Sequence, residues 1–387
     1  MQEAKASKVI FQFNTNSLEL TITNLAEWAT QNRFNIAIYR KPGKDPMFLL
    51  DPSDAQKVNR PVEELESGFL FADYDGNAWH MQAAVQINLA NQEISGDLGL
   101  LPLKKYGNGN WNYFIKGKAQ RSTTSKEYED AVQACVDKIG TSELIKVVPT
   151  KVKYHKLSGN FSLAEAFKKL CEAYPTAFVS VVSTKEFGTW LTATPEMLID
   201  VDGEGIFKTM ALAGTQKYDP EVSLHEVAWT DKEIEEQAMV SRYIINRLKE
   251  IRLREFIEEG PMTVRAANLT HLCSTFTVDT KATSFPNLGG VMLNLLHPTS
   301  AVCGMPKQPA VELIKEIEQH KRKFYTGYLG PVNMENATSI YVNLRCMELF
   351  DGSANLFAGA GVTAFSNPEK EWEETELKCN TLLNVIE

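Results

Sequence analysis

Short β-branched apolar runs and amphipathic helical stretches come in groups along this chain, without the strand-by-helix alternation that a parallel doubly wound sheet requires. That grouping predicts an α+β fold with mainly antiparallel pairing. Up to about Asn110, the runs VIFQF, FNIAIY and MFLL are separated by turn-rich pieces such as DYDGN and YGNGNW, so this part reads as strands and loops. From Tyr128 to Ile139, YEDAVQACVDKI has apolar residues at helical spacing, and LIKVVP after the Gly140 turn reads as a strand carrying Lys146. Ser162 with Glu165 three residues on is a capping-box start for LAEAFKKLCEAY, which Pro175 ends; AFVSVVS and GTWLTAT then read as strands.

MLIDVDGEGIFKTMALAGT reads as a hairpin, because Asp202-Gly203 and Gly205 supply turn residues between two apolar runs. The longest helical pattern runs from Thr230 to Glu259, with Ile234, Met239, Tyr243, Ile244 and Leu248 as its apolar stripe. A further helix is predicted from Pro309 through AVELIKEIEQHKRKF, since proline suits a first helical turn. YTGYLGPV, SIYVNLRCMEL and ANLFAGAGVTAF are strand-like, and Asn367-Pro368 opens a last helix, EKEWEETELKCNTLLNVI.

The 387 residues include 43% hydrophobic and 23% charged side chains, enough to bury a large core, and no linker or repeat marks a boundary. One domain spanning 1–387 is expected. The net charge of -9 is spread along the chain, and no Lys/Arg stripe interleaves with aromatics, so nucleic acid is not an expected partner. The start, MQEAKASKVIFQF, lacks an apolar signal core and no run approaches membrane-spanning length, so no membrane partner and a cytoplasmic location are expected. The six cysteines show no CxxC pair and no zinc-ligand spacing; they read as reduced, mostly buried thiols, Cys303 being a weak candidate nucleophile without an evident base.

Two helices each carry carboxylates one turn apart, Glu233/Glu236 and Glu371/Glu374, the latter with Lys378 on the same face. Hard oxygen ligands of this kind suit Mg2+, but surface carboxylates at helical spacing are ordinary, and only a fold that brings the two helices together makes a site of them. Lys146 is a lone cation in an apolar run: it either points out of a half-exposed strand or is desolvated and able to act as a base. The AGAG at 358–361 marks a place where backbone comes close to something, and it matches no nucleotide loop.

Read in order, LIKVVPTK, TATPEML, ALAGT, DKEIEEQAMV, LTHLCST, LLHPTSAVCGMP, HKRKFYTGYLGPV, NLRCMEL, FAGAGV and EWEETELKCNTLL resemble the successive motifs of the chorismate-utilising enzymes. That family includes isochorismate, salicylate, anthranilate and aminodeoxychorismate synthases. The resemblance covers about residues 140–387, and 1–139 match only loosely. It implies a single α+β chorismate-binding domain with two stacked large antiparallel sheets and helices outside. It also implies Mg2+ as cofactor, with Glu236 and Glu374 as ligands and Glu233 and Glu371 acting through water or behind them.

The resemblance further places Tyr325, Arg345, Lys378 and Gly359 at the pyruvyl carboxylate of chorismate, and Gly214 and Thr215 at its ring carboxylate. Gly361 is implied as a further backbone donor, and His271 as a neighbour of the departing or migrating group. Family members that add water carry Lys where Lys146 stands, as the base at C2, and the Glu of TPE, here Glu196, is the expected acid for the C4 hydroxyl. Leu212 and Ala301 resemble isochorismate synthases more than salicylate synthases, which favour polar residues there. The expectation is therefore an isochorismate synthase, a monomer or weak homo-oligomer. Salicylate synthase is the alternative, and an anthranilate synthase component or a non-catalytic binding module is less favoured. A menaquinone and a siderophore pathway are equally compatible. Gln216, where many relatives have Arg, and DKEIEEQ, without the usual His, depart from the pattern.

Overall fold

The computed structural model describes residues 20–102, 111–266 and 269–387; the run VIFQF and most of YGNGNW lie outside them. Among the described residues there are two nine-stranded sheets and seven α-helices. The helices are α1 (Ile22–Gln31), α2 (Ser125–Ile139), α3 (Leu163–Ala173), α4 (Asp231–Glu250), α5 (Leu288–Leu296), α6 (Lys307–Ile317) and α7 (Pro368–Ile386).

One sheet runs Ile94–Gly96, Val85–Asn88, Pro46–Asp51, Asn35–Arg40, Phe178–Thr184, Gly188–Thr194, Cys346–Phe350, Ser353–Gly359 and Thr150–Lys156. The other runs Ile257–Ala266, Leu269–Asp279, Ile206–Lys217, Met197–Val201, Thr338–Val342, Tyr328–Val332, Gly68–Ala72, Ala78–Gln82 and Gln56–Lys57. The paired registers are antiparallel, as the grouping of elements implied.

Side-chain alternation along each strand decides the layering. In Asn35–Arg40, Ile36 and Ile38 face α1, α3 and α7 on the outside, while Ala37 and Tyr39 face the other sheet. Tyr39, Phe178 and Val182 of the first sheet meet Phe69, Phe71, Leu329 and Tyr341 of the second in one apolar layer. On the far side of the second sheet, α4 and α5 bury Val240, Ile244, Leu288 and Met292 against Phe207, Phe276 and Ile340. The order is helices, sheet, sheet, helices, because both faces of both sheets are apolar and each needs cover.

Several expectations change. The amino-terminal part contains a helix, α1, besides strands: Thr21 caps it, and Ile22, Leu25, Ala26 and Ala29 recur at helical spacing on its buried side. The pattern from Thr230 stops at Glu250 rather than Glu259, because Arg252 adopts a left-handed φ of 60° and Ile257–Ala266 is drawn into the sheet beside Leu269–Asp279. Ile234 is half exposed, outside the buried stripe of Val240, Ile244 and Leu248. Helix α6 starts at Lys307, with Pro309 in its first turn, and ends at Ile317 instead of Phe324: Glu318 turns extended and carries its carboxylate to Arg322 and Thr150.

The single run SIYVNLRCMEL is two strands in different sheets, Thr338–Val342 and Cys346–Phe350, joined by Asn343-Leu344-Arg345 with Arg345 at φ 46°. A second passage between the sheets links Gly188–Thr194 to Met197–Val201 through Pro195-Glu196. The two links lie side by side: Val342 N–H donates to Glu196 O at 2.9 Å, and Ala193 N–H to Arg345 O at 3.0 Å.

Candidate active site

A cleft opens over those two links. Glu196 and Arg345 line it because a chain leaving one sheet for the other must turn there, which frees both side chains from either sheet's ladder. Leu212, Gly214, Thr215 and His271 come from the second sheet, and Tyr325 precedes another of its strands. Gly359 and Gly361 come from the end of Ser353–Gly359 and beyond it; Ala301 follows α5, and Glu236, Glu374 and Lys378 reach in from α4 and α7.

Lys146 lies on a two-residue strand paired with Gly304–Met305 and is 1% exposed, so it is buried instead of pointing out of a half-exposed strand. Its Nζ donates to Glu236 Oε1 at 2.5 Å. Burial works to raise the Glu236 carboxyl, yet Lys146, helped by Lys378 and Lys232, outweighs it and holds the group below the ordinary carboxylate range. Glu196 feels the same burial without a bonded cation. It is pushed up to about 7, with Lys146, Arg345, Lys378 and the neighbouring Thr299 hydroxyl opposing only part of the desolvation.

His271 sits opposite a break in the hairpin register between Ala213 and Gln216, where Gly214 takes a φ of +68°. A bulge of this kind turns a backbone carbonyl toward the partner strand. Gly214 O lies 2.6 Å from His271 Nδ1, and since a carbonyl can only accept, Nδ1 carries the proton. Nε2 is buried and has no partner among the described residues, which leaves a lone pair on the cleft side; burial, then Arg345, lower the imidazole to about 3. Arg345 Nη1 is a second buried polar atom of the cleft without a partner among the described residues, as expected of a group waiting for an anion.

Lys378 Nζ bonds Glu374 Oε1 at 2.7 Å and Gly359 O at 2.8 Å. Tyr325 is stacked on Phe357 with ring centroids 5.3 Å apart. At Gly361 a side chain would have to displace its neighbours: a Cβ there would lie 2.7 Å from both Glu236 Oε1 and Lys146 Cε.

Of the residues named from the sequence, Glu233 and Glu371 do not reach the cleft. Glu233 caps its own helix through Thr230 and takes the Gln216 amide at 3.1 and 3.2 Å. Glu371 is buried and held at 2.8 Å by Lys232, which ties α4 to α7 and which no sequence pattern singled out. Val148, Val302, Leu344 and Phe357 also line the cleft; each is an ordinary apolar residue, and only its place beside a named motif could have pointed to it. Cys303 is buried away from the cleft, its thiol pushed up by burial, and it touches Tyr74 and Lys307 rather than a base. None of the six cysteines forms a disulfide.

Three carboxylates line the cleft, and of these Glu236 and Glu374, on α4 and α7, are the candidates for a metal ion, Glu196 being the proposed acid. Among the described residues no three acidic, His or Cys side chains converge on one point, so the donor set is open. That fits Mg2+, which commonly takes one or two protein carboxylates and completes its shell with water and substrate oxygens. Among the described residues no helix is long and apolar enough to cross a membrane.

The chorismate binding enzyme family model matches residues 104–387. Isochorismate synthase EntC of Escherichia coli is 29% identical over 264 residues, which are 67% of this chain and 66% of that protein, just under two thirds of its length. Anthranilate synthase component 1 of Aquifex aeolicus is 26% identical over 275 residues, 68% of this chain and 53% of that one. The solved structure of MenF, the menaquinone-specific isochorismate synthase from Escherichia coli, superposes with a TM-score of 0.73 at 17% identity, covering 94% of this chain and 91% of that one. The chain belongs to the chorismate-binding enzyme family.

Proposed function

We propose that this protein isomerises chorismate to isochorismate with Mg2+ as cofactor. The observation that carries the reading is a buried lysine and a buried carboxyl held near neutrality on one cleft, Lys146 and Glu196. Water addition at C2 needs a base, and departure of the C4 hydroxyl needs an acid whose proton is still bound at working pH. Lys146, acting in its neutral form, takes a proton from water as the water oxygen bonds to C2. The ring double bonds shift, the C4–O bond breaks, and Glu196 gives its proton to the leaving hydroxyl, so a water is taken up and a water released.

Arg345, Lys378 and Tyr325 hold the pyruvyl carboxylate in this reading, and the Gly214-Thr215 bulge faces the ring carboxylate. His271 offers Nε2 as an acceptor to a ring or incoming hydroxyl. Glu236 and Glu374 would hold Mg2+, and the bound ion would supply positive charge to the ring carboxylate. Apolar Leu212 and Ala301 on the cleft wall favour stopping at isochorismate.

The test is product analysis with chorismate, with and without Mg2+ and with ammonium added. Isochorismate without pyruvate, dependent on Mg2+ and lost in Lys146→Ala, is the expected result. Salicylate with equal pyruvate would keep the site and overturn the product; anthranilate would overturn the assignment of Lys146 to water, and no turnover would favour a binding module.

A further inference from the structure

Behind the cleft wall, the motif HKRKFYTG contributes a buried side chain that none of the roles above uses. Arg322 Nε and Nη2 donate to the two oxygens of Glu318 at 2.9 and 2.6 Å. Nη2 also donates to Val148 O at 2.8 Å, and Nη1 to Val302 O at 2.9 Å and the Thr326 hydroxyl at 3.4 Å. Glu318 completes the cluster by accepting from Thr150 N and Oγ1, both at 2.8 Å. The Tyr74 ring covers the guanidinium at 4.4 Å, and His320 Nε2 approaches Thr150 Oγ1 at 2.9 Å.

Val148, Val302 and Thr326 all line the cleft, on three segments far apart in sequence. Each stands beside a residue with a proposed role: Val148 two positions after Lys146, Val302 next to Ala301, Thr326 next to Tyr325. We propose that Arg322, paired with Glu318, is a positioning residue that fixes these three walls relative to one another and so sets where Lys146 stands against the substrate. The role in catalysis rests on the isochorismate synthase reading; the geometric role does not.

Two physical points make the pair specific. A planar guanidinium presents five donors in fixed directions, whereas a lysine ammonium presents three from one point and cannot bond all three walls and both carboxylate oxygens. A buried guanidinium also needs its counter-charge, so removing Glu318 leaves an uncompensated cation and loosens Thr150 as well.

The test uses Arg322→Lys, which keeps the charge and most of the volume, with Arg322→Ala and added guanidinium as a second variant. Activity is measured per folded molecule alongside backbone hydrogen exchange. The expected result for Arg322→Lys is a fall in kcat on the order of 100-fold with little change in KM, the cost of a small misplacement of reacting groups. Amide exchange should quicken together around 146–150, 300–303 and 324–327, and guanidinium should restore part of the activity of Arg322→Ala. Unchanged exchange in those segments, or activity lost only in proportion to unfolded protein, would overturn the proposal. If the native protein leaves chorismate untouched, the isochorismate reading falls, and the exchange pattern still decides whether Arg322 sets the walls.

Discussion

Glu196 and His271 share one environment and are driven by it toward the same condition, absence of charge. Desolvation raises the acid to about 7 and lowers the imidazole to about 3, so near neutrality Glu196 can still donate and His271 is neutral. For Glu196 the sign of the linkage follows directly. Below its ordinary value of 4.5 both folded and unfolded chains hold the proton; from there to about 7 only the folded chain does, so stability falls as pH rises through that window. The loss is on the order of 3 kcal/mol at 1.36 kcal/mol per pKa unit. Glu196→Gln should therefore be inactive yet more stable than the native protein above about pH 7, with the difference vanishing below 4.5; denaturant titrations at the two ends of the window check it. In the native protein kcat should fall as pH rises past about 7, when the acid loses its proton. Nitrogen NMR on the labelled histidine tests the other residue: a protonated Nδ1 and a bare Nε2 that persist from neutral to mildly acid pH are expected. A protonated Nε2 would remove the acceptor role.

At the scale of elements, the cleft is made by short links and helix faces rather than by long regular strands, and Gly361 shows how tightly these meet. An alanine there would place its Cβ against Glu236 Oε1 and Lys146 Cε, both ends of flexible side chains. Gly361→Ala should thus fold normally, within about 1 kcal/mol of native stability, while driving Lys146 and Glu236 apart and cutting kcat at least tenfold; thermal unfolding and steady-state kinetics together check this. The same geometry explains what the sequence made legible. Helices with a clear stripe and cap, such as α2, α3 and α7, were readable because spacing and cap residues act locally. The ends of α4 and α6 were not, since Arg252 turns left-handed ahead of a strand that joins the sheet, and Glu318 leaves its helix for Thr150, far away in the chain. SIYVNLRCMEL looked like one strand because periodicity does not register a change of sheet. The cleft residues were named through a resemblance carried by ten ordered motifs, whereas the roles of Lys232 and Arg322 depend on Glu371 and the Val148 carbonyl, far away in the chain.

At the scale of the molecule, the motifs lie in about residues 140–387, yet the fold does not divide there. Residues 35–96 form one flank of both sheets: Asn35–Arg40 pairs with Phe178–Thr184 in the first, and Gly68–Ala72 with Tyr328–Val332 in the second. Between them, Tyr39, Phe69 and Phe71 fill the apolar layer against Phe178 and Tyr341, whose rings stack at 4.1 Å across the two sheets. A chain limited to 140–387 would expose two long strand edges at once and open that layer to water. An unpaired apolar edge is a template for association, and each large aromatic left uncovered forfeits about 1.5–3 kcal/mol, against a typical total stability of only about 5–15 kcal/mol. The shortened chain should therefore fail to fold alone and should associate, although it holds every residue proposed for the site. Adding residues 1–139 as a separate chain should restore a folded, cooperative unit if the flank is what is missing. Circular dichroism and sedimentation of the shortened chain, alone and with its complement, decide this. A monomeric 140–387 with native-like unfolding would show that the amino-terminal third decorates the sheets instead of completing them.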